Sequence, residues 1–224
     1  MLIPSIDLLR GKIVQLVQGK RKALEFDNFE YWIERFKKYP LIQLIDLDAA
    51  MGHGDNHSLV KYFAERLPCQ IGGGIRTAET AENVLALGAR KIIVGSALVR
   101  NGEIATDFAA GLASKFGHEG LVFGIDSKSG KVATEGWRTR TQFSPVEMIR
   151  ALEPWCGAFL YTHIDTEGLM QGIPLDVIRH LRAVTERHLI AAGGIASHEE
   201  IAALDQMKVD AVVGMAVYTS RLEF

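Results

Sequence analysis

Residues 6–14 read Ile-Asp-Leu-Leu-Arg-Gly-Lys-Ile-Val and return 119 positions later as Ile-Asp-Ser-Lys-Ser-Gly-Lys-Val-Ala. The echo keeps its order along the chain. Ile45-Asp46-Leu47-Asp48 answers Ile164-Asp165-Thr166-Glu167, Gly73-Gly74-Ile75 answers Gly193-Gly194-Ile195, and Val94-Gly95-Ser96-Ala97 answers Val213-Gly214-Met215-Ala216. Landmarks repeated in order mark two homologous halves, so a site built from both should carry an approximate twofold axis.

Short apolar runs alternate with longer amphipathic ones. Strands are expected over Leu2–Asp7, Leu41–Leu47, Cys69–Gly72, Lys91–Val94, Leu121–Asp126, Phe159–Ile164, Leu189–Ala192 and Ala211–Gly214. Their near-continuous hydrophobicity fits parallel strands covered on both faces. Helices are expected over Phe29–Tyr39, Ser58–Leu67, Thr77–Leu87, Pro145–Leu152, Leu175–Arg187 and Ser197–Gln206, with Thr77 and Ser197 as capping hydroxyls. In 224 residues this makes eight β/α units of about 28 residues each, the size of a single (β/α)8 barrel domain spanning residues 1–224. A doubly wound open sheet competes, but the glycine fingerprint after the first strand is missing. Only Ala216–Phe224 follow the eighth strand, so the last helix should be one turn or absent, leaving one side thinly covered as a plausible subunit contact.

Net charge of −2 excludes a nucleic-acid footprint, and two cysteines cannot build a disulfide framework or, unaided, a zinc site. A cytoplasmic chain is expected, since no apolar run is long enough to span a bilayer and no signal-like n- and h-regions open the sequence. His53 and His57 have helical metal-pair spacing, but Gly54 and Asp55 between them indicate a loop, and no metal is expected.

The glycine-rich turns lie after strands three, four, seven and eight, where unpaired backbone N–H groups can hold an anion. Two such cradles related by the internal axis suit a ligand with a phosphate at each end; the alternative is that the glycines only make tight turns. Asp7 and Asp126 end strands one and five, opposite one another in an eight-membered ring. A carboxylate on each side of a substrate is the arrangement for removing one proton and delivering another.

These residues carry a resemblance to a family. Pro4-Ser5-Ile6-Asp7, Gly11-Lys12, Leu16-Val17-Gln18-Gly19, Asp46-Leu47-Asp48-Ala49-Ala50, Gln70 to Arg76, Val94-Gly95-Ser96-Ala97, Glu135-Gly136-Trp137, Tyr161-Thr162 and Ala192-Gly193-Gly194-Ile195 resemble the isomerases of histidine biosynthesis along the whole chain. The resemblance implies a cofactor-free Amadori rearrangement of a bisphosphorylated aminoaldose. Asp7 would be the base at C2 and Asp126 the acid at the ring oxygen, with the roles open to exchange, and Thr162 would position the acid. Gly19, Gly73, Gly74, Arg76, Gly95, Ser96, Trp137, Gly193, Gly194 and Gly214 would hold the substrate, Trp137 by stacking on the imidazole. Two departures stand out: His163 after the threonine, and Thr166-Glu167-Gly168 where Arg-Asp-Gly is common. Lys20–Asn28 is read as a short first loop with Lys20, Arg21 and Lys22 near the mouth. A monomer or weak homo-oligomer is expected. The alternatives are an isomerase that also accepts phosphoribosylanthranilate, and a non-catalytic barrel that binds a bisphosphorylated metabolite. The sister cyclase usually carries a cysteine where this chain has Ser5.

Overall fold

The computed structural model describes residues 1–222. Among these, eight parallel strands close on themselves: β1 Leu2–Leu9, β2 Ile42–Asp46, β3 Cys69–Gly72, β4 Lys91–Val94, β5 Leu121–Lys128, β6 Ala158–His163, β7 His188–Ala192 and β8 Val209–Val213. Each pairs with the next, and β8 returns to β1 through Leu2 opposite Ala211. This is a (β/α)8 barrel, with the strands where the apolar runs placed them.

The period of two along each strand sorts its side chains. In β1, Leu2, Ile6 and Leu8 pack outward under the helices, while Ile3, Ser5 and Asp7 point inward. In β5, Phe123 and Ile125 go outward, and Val122, Gly124 and Asp126 inward. The barrel interior is therefore apolar at its floor, where Ile3, Val122, Leu160, Ile190 and Val212 meet; a buried Gln43–Gln70 amide pair is part of the interior, and the carboxyls lie at the mouth. Thr77 and Ser197 cap their helices, accepting from the N–H groups of Thr80 and Glu200. Ser144 and Glu147 form a reciprocal capping box ahead of Pro145.

Three differences from the sequence reading have physical causes. Arg21–Phe26 is not a loop but a strand pairing antiparallel with Lys12–Val17, and Lys12 and Lys22 both engage Glu25 on it. Helix Thr106–Phe116 is hidden in the sequence because its inner face, Ala109, Leu112 and Ala113, is mostly alanine and Ala110 and Gly111 beside it blur the contrast with the outer face. The final helix is indeed one turn, Met215–Tyr218, yet that side is not bare. All four of its residues are buried, and the Tyr218 ring lies 4.2 Å from Trp32 and 5.4 Å from Phe26. Aromatic bulk stands in for the missing helix.

The duplication is visible in the hydrogen bonds. Arg10 and Ser129, each with φ near 50°, turn the hairpins that follow β1 and β5, and their N–H groups donate to Asp48 and Asp165 at 2.6 and 2.7 Å. Strand register corrects the alignment in the second unit of each half. Asp7 and Leu8 face Ile45 and Asp46, whereas Asp126 and Ser127 face Thr162 and His163. Asp46 is therefore the counterpart of His163, and Asp48 of Asp165, two positions away from the match that sequence identity alone favours.

Candidate active site

The mouth of the barrel holds one cavity lined by residues of both halves, including Asp7, Asp126, Thr162, Trp137 and Glu167 together with the glycine turns after β3, β4, β7 and β8. Every site residue singled out from the sequence lines it, Gly19, Arg76 and Ser96 among them.

The two aspartates occupy equivalent backbone positions in unlike surroundings. Burial pushes Asp7 up to about 6, against the pull of the Ser5 hydroxyl, which donates to it at 3.0 Å. Its neighbour on β2 is the apolar Ile45. Burial raises Asp126 as well, but two donors oppose it: the Thr162 hydroxyl and the Trp137 indole N–H, the latter at 2.7 Å. Thr162 occupies the place that Ile45 holds beside Asp7. The duplication supplies the symmetry and these substitutions break it.

Glu167 brings a third carboxyl to the cavity. It is pushed up to about 8, first by burial and then by the negative charges of Asp7 and Asp126. At neutral pH it is largely protonated while Asp7 is largely ionised. The loop carrying it is pinned to the first hairpin: Gln18 donates its N–H to the Glu167 carbonyl at 3.1 Å and its side-chain amide to the Asp165 carbonyl at 3.0 Å. Gly168, at φ +71°, sits where a side chain would strike the Leu16 carbonyl. In the sequence Glu167 stands out only as a departure from the Arg-Asp-Gly pattern. The signal available was the glycine after it, which lets the loop fold flat onto strand Lys12–Val17.

The structure revises what several binding candidates do. Trp137 lies in the cavity with its indole tied to Asp126, and a Cβ at Gly19 would come within 2.7 Å of its ring. Gly19 is thus a seat for the indole. Arg76 directs its guanidinium to the Ala49 and Ala50 carbonyls, bracing the turn after β2, and its own carbonyl accepts from Arg100. The Ser96 hydroxyl accepts the N–H of Glu135 at 2.9 Å and so ties the loop after β5 to the β4 turn. Gly73 and Gly193 have φ of +107° and +113°, and a Cβ there would meet the carbonyl oxygens of Asp46 and His163 at 2.1 and 2.4 Å. These two glycines are required by backbone approach, whatever binds above them. Outside the cavity, Tyr161 and His163 share a hydrogen bond of 3.0 Å, and burial lowers the His163 imidazole against the pull of Asp165. His57 begins a helix that excludes His53, and among the described residues no three His, Cys, Asp or Glu converge as metal ligands.

Comparison with known proteins places this geometry in a family context. The chain matches the family model described as histidine biosynthesis protein over residues 1–223. It is 34% identical to the 1-(5-phosphoribosyl)-5-((5-phosphoribosylamino)methylideneamino)imidazole-4-carboxamide isomerase of Methanocaldococcus jannaschii, across 100% of this chain and 95% of that protein. The isomerase of the same description from Methanosphaera stadtmanae is 35% identical, across 97% and 94% of the two chains. That of Prochlorococcus marinus is 33% identical, across 99% and 90%.

Proposed function

As the chain belongs to the histidine biosynthesis protein family, we propose that Asp7 and Asp126 are the acid–base pair with which it works. The enzyme is an isomerase of that pathway, acting on the ribosyl intermediate with a phosphate at each end. The observation that carries the site assignment is the placement of two half-buried carboxyls at equivalent positions of β1 and β5, inside one cavity flanked by two glycine cradles.

The chemistry follows from the proton inventory. Around neutral pH Asp7 is largely ionised and Glu167 largely protonated, so the three carboxyls together offer both a base and an acid. Asp126, oriented by Thr162 and Trp137, delivers a proton to the ring oxygen as the C1–O bond breaks and the nitrogen lone pair forms the imine. Asp7 then takes the proton from C2, giving an enolamine; returning that proton to C1 while the C2 hydroxyl gives its own proton back to the ionised Asp126 yields the aminoketose and restores both carboxyls. No group outside the chain is consumed. Glu167 keeps the shared proton within reach of both aspartates. The glycine turns after β3 and β4 hold one phosphate and those after β7 and β8 the other, by backbone N–H groups.

The described residues form one barrel domain, and both halves of the site come from it, so a monomer suffices for activity, with at most weak self-association. Among the described residues no helix is long and apolar enough to cross a membrane; for a biosynthetic isomerase, the cytoplasm is the compartment we assign. The test is steady-state turnover of the purified two-phosphate aminoaldose in the presence of a chelator. Saturable turnover supports the reading, and binding without turnover would make the chain a metabolite-binding barrel.

A further inference from the structure

The two glycine cradles are not equally furnished. The turn after β4 carries Ser96, and Arg76 lines the cavity beside it. At the corresponding places of the second half stand Met215 and Ala196. Gly193, Gly194, Ile195, Gly214 and Met215 line that end of the cavity and bring no side-chain donor of their own.

Gln15 lies against this bare end. It belongs to strand Lys12–Val17, and a β-bulge between Gln15 and Leu16 breaks the register there, the device by which a strand re-aims a side chain at a site. The side chain lines the same cavity as Asp7, and its carboxamide packs on Gly214, where a Cβ would come within 2.5 Å of Gln15 Oε1. The residue is only 4% exposed, yet among the described residues nothing accepts from its Nε2. A buried amide donor without an acceptor is unfavourable, and glutamine is a costly way to fill a space that leucine fills as well.

We propose that Gln15 Nε2 donates to a phosphoryl oxygen of the substrate held over the Gly193–Gly194 and Gly214 turns, making Gln15 the side-chain anchor of that end. The inference rests on the two-phosphate reading above. It explains why the second cradle works without a hydroxyl or guanidinium: the donor arrives from the opposite half, across the seam between β8 and β1. It also gives the two ends of the cavity different character, since one is met by a neutral amide and the other carries the Ser96 hydroxyl. A substrate whose two phosphates are chemically distinct would be oriented by that difference.

The full-length chain is compared with its Gln15→Leu and Gln15→Glu variants. In Gln15→Leu, kcat/KM for the two-phosphate aminoaldose is expected to fall about 10- to 100-fold, carried mainly by KM. Gln15→Glu should fall further, because a carboxylate would face the phosphate. Since the donor is unpaired in the free protein, Gln15→Leu should unfold no lower than wild type in the absence of ligand. The rise in Tm produced by inorganic phosphate should be smaller in Gln15→Leu than in wild type, a difference taken within each variant and so independent of its starting stability. Unchanged KM together with an undiminished phosphate shift would overturn the assignment and leave Gln15 a packing residue. Failure of the wild-type chain to turn over the aminoaldose would instead reject the two-phosphate reading itself.

Discussion

Replacing Asp7 with asparagine should produce an enzyme that is nearly inactive and more stable than its parent. In wild type, folding forces a carboxyl whose ordinary value is 3.8 into surroundings that raise it to about 6. That gap corresponds to about 3 kcal/mol of destabilisation once the group is ionised in both states. The sign follows from where each state loses its proton. Below pH 4 Asp7 is protonated folded and unfolded, and no penalty exists. Between about pH 4 and 6 the unfolded chain ionises first, and above 6 the penalty is complete. Asparagine has the same shape, can still accept from Ser5 and never ionises, so it escapes the whole of it. At pH 7 to 8 Asp7→Asn should therefore gain about 2–3 kcal/mol, or about 5–10 °C in Tm for a chain of this size. At pH 4 the two proteins should unfold together. Denaturant melts at both pH values would measure this, with kcat falling about 10²- to 10⁴-fold in the same variant. A variant no more stable than wild type at pH 7, or equally stabilised at pH 4, would refute the claim that Asp7 bears a burial penalty for its chemistry.

Asp126→Asn should likewise lose about 10²- to 10⁴-fold in kcat while still binding substrate, checked by isothermal titration beside steady-state kinetics. The pH profile of kcat/KM should be bell-shaped, rising near 6 as Asp7 loses its proton and falling near 8 as Glu167 loses its own; in Glu167→Gln the alkaline limb should disappear. The enzyme should prefer the two-phosphate substrate over phosphoribosylanthranilate by at least about 10²-fold in kcat/KM, because a site built to pair two phosphates leaves donors unmatched when one is missing; comparable values would make it bifunctional. Tyr218→Phe should be neutral to stabilising, since the buried hydroxyl finds no acceptor among the described residues, whereas Tyr218→Ala should cost about 3–5 kcal/mol by emptying the aromatic packing against Trp32.

The barrel was legible because its information is local. Runs such as Cys69–Gly72 and Lys91–Val94 are bounded by glycine or charge, and a strand buried on both faces can be read without knowing its partners. Asp7 and Asp126 were legible because the repeat marks them and the alternation along β1 and β5 points them inward. What could not be read depends on contacts distant in sequence. No pattern near Arg21–Phe26 declares a hairpin, since its partner is what makes it a strand. Nothing local to Gly73 and Gly193 shows that the Asp46 and His163 carbonyls beneath them also require glycine. The pairing of Asp46 with Asp165 was persuasive by identity and wrong by register, because two residues of drift cost nothing in sequence and everything in a sheet. Trp137 and Glu167 owe their roles to neighbours 11 and more residues away, across a loop or a half-barrel.

Several of the contacts that complete the mouth run between the halves. Gln18 holds the loop of Glu167, Ser96 holds the Glu135 backbone, Trp137 rests on Gly19, and Gln15 leans on Gly214. Each half thus lends its partner the clasps that shape the other's loops. An ancestor assembled from two identical half-length chains would have had to present every such clasp twice. Fusion into one polypeptide released the copies to diverge, so that Ile45 and Thr162, or Ser96 and Met215, could specialise separately. The same history closes the road back: a fragment ending near residue 119 would carry one aspartate, one glycine cradle and a set of clasps with nothing to hold.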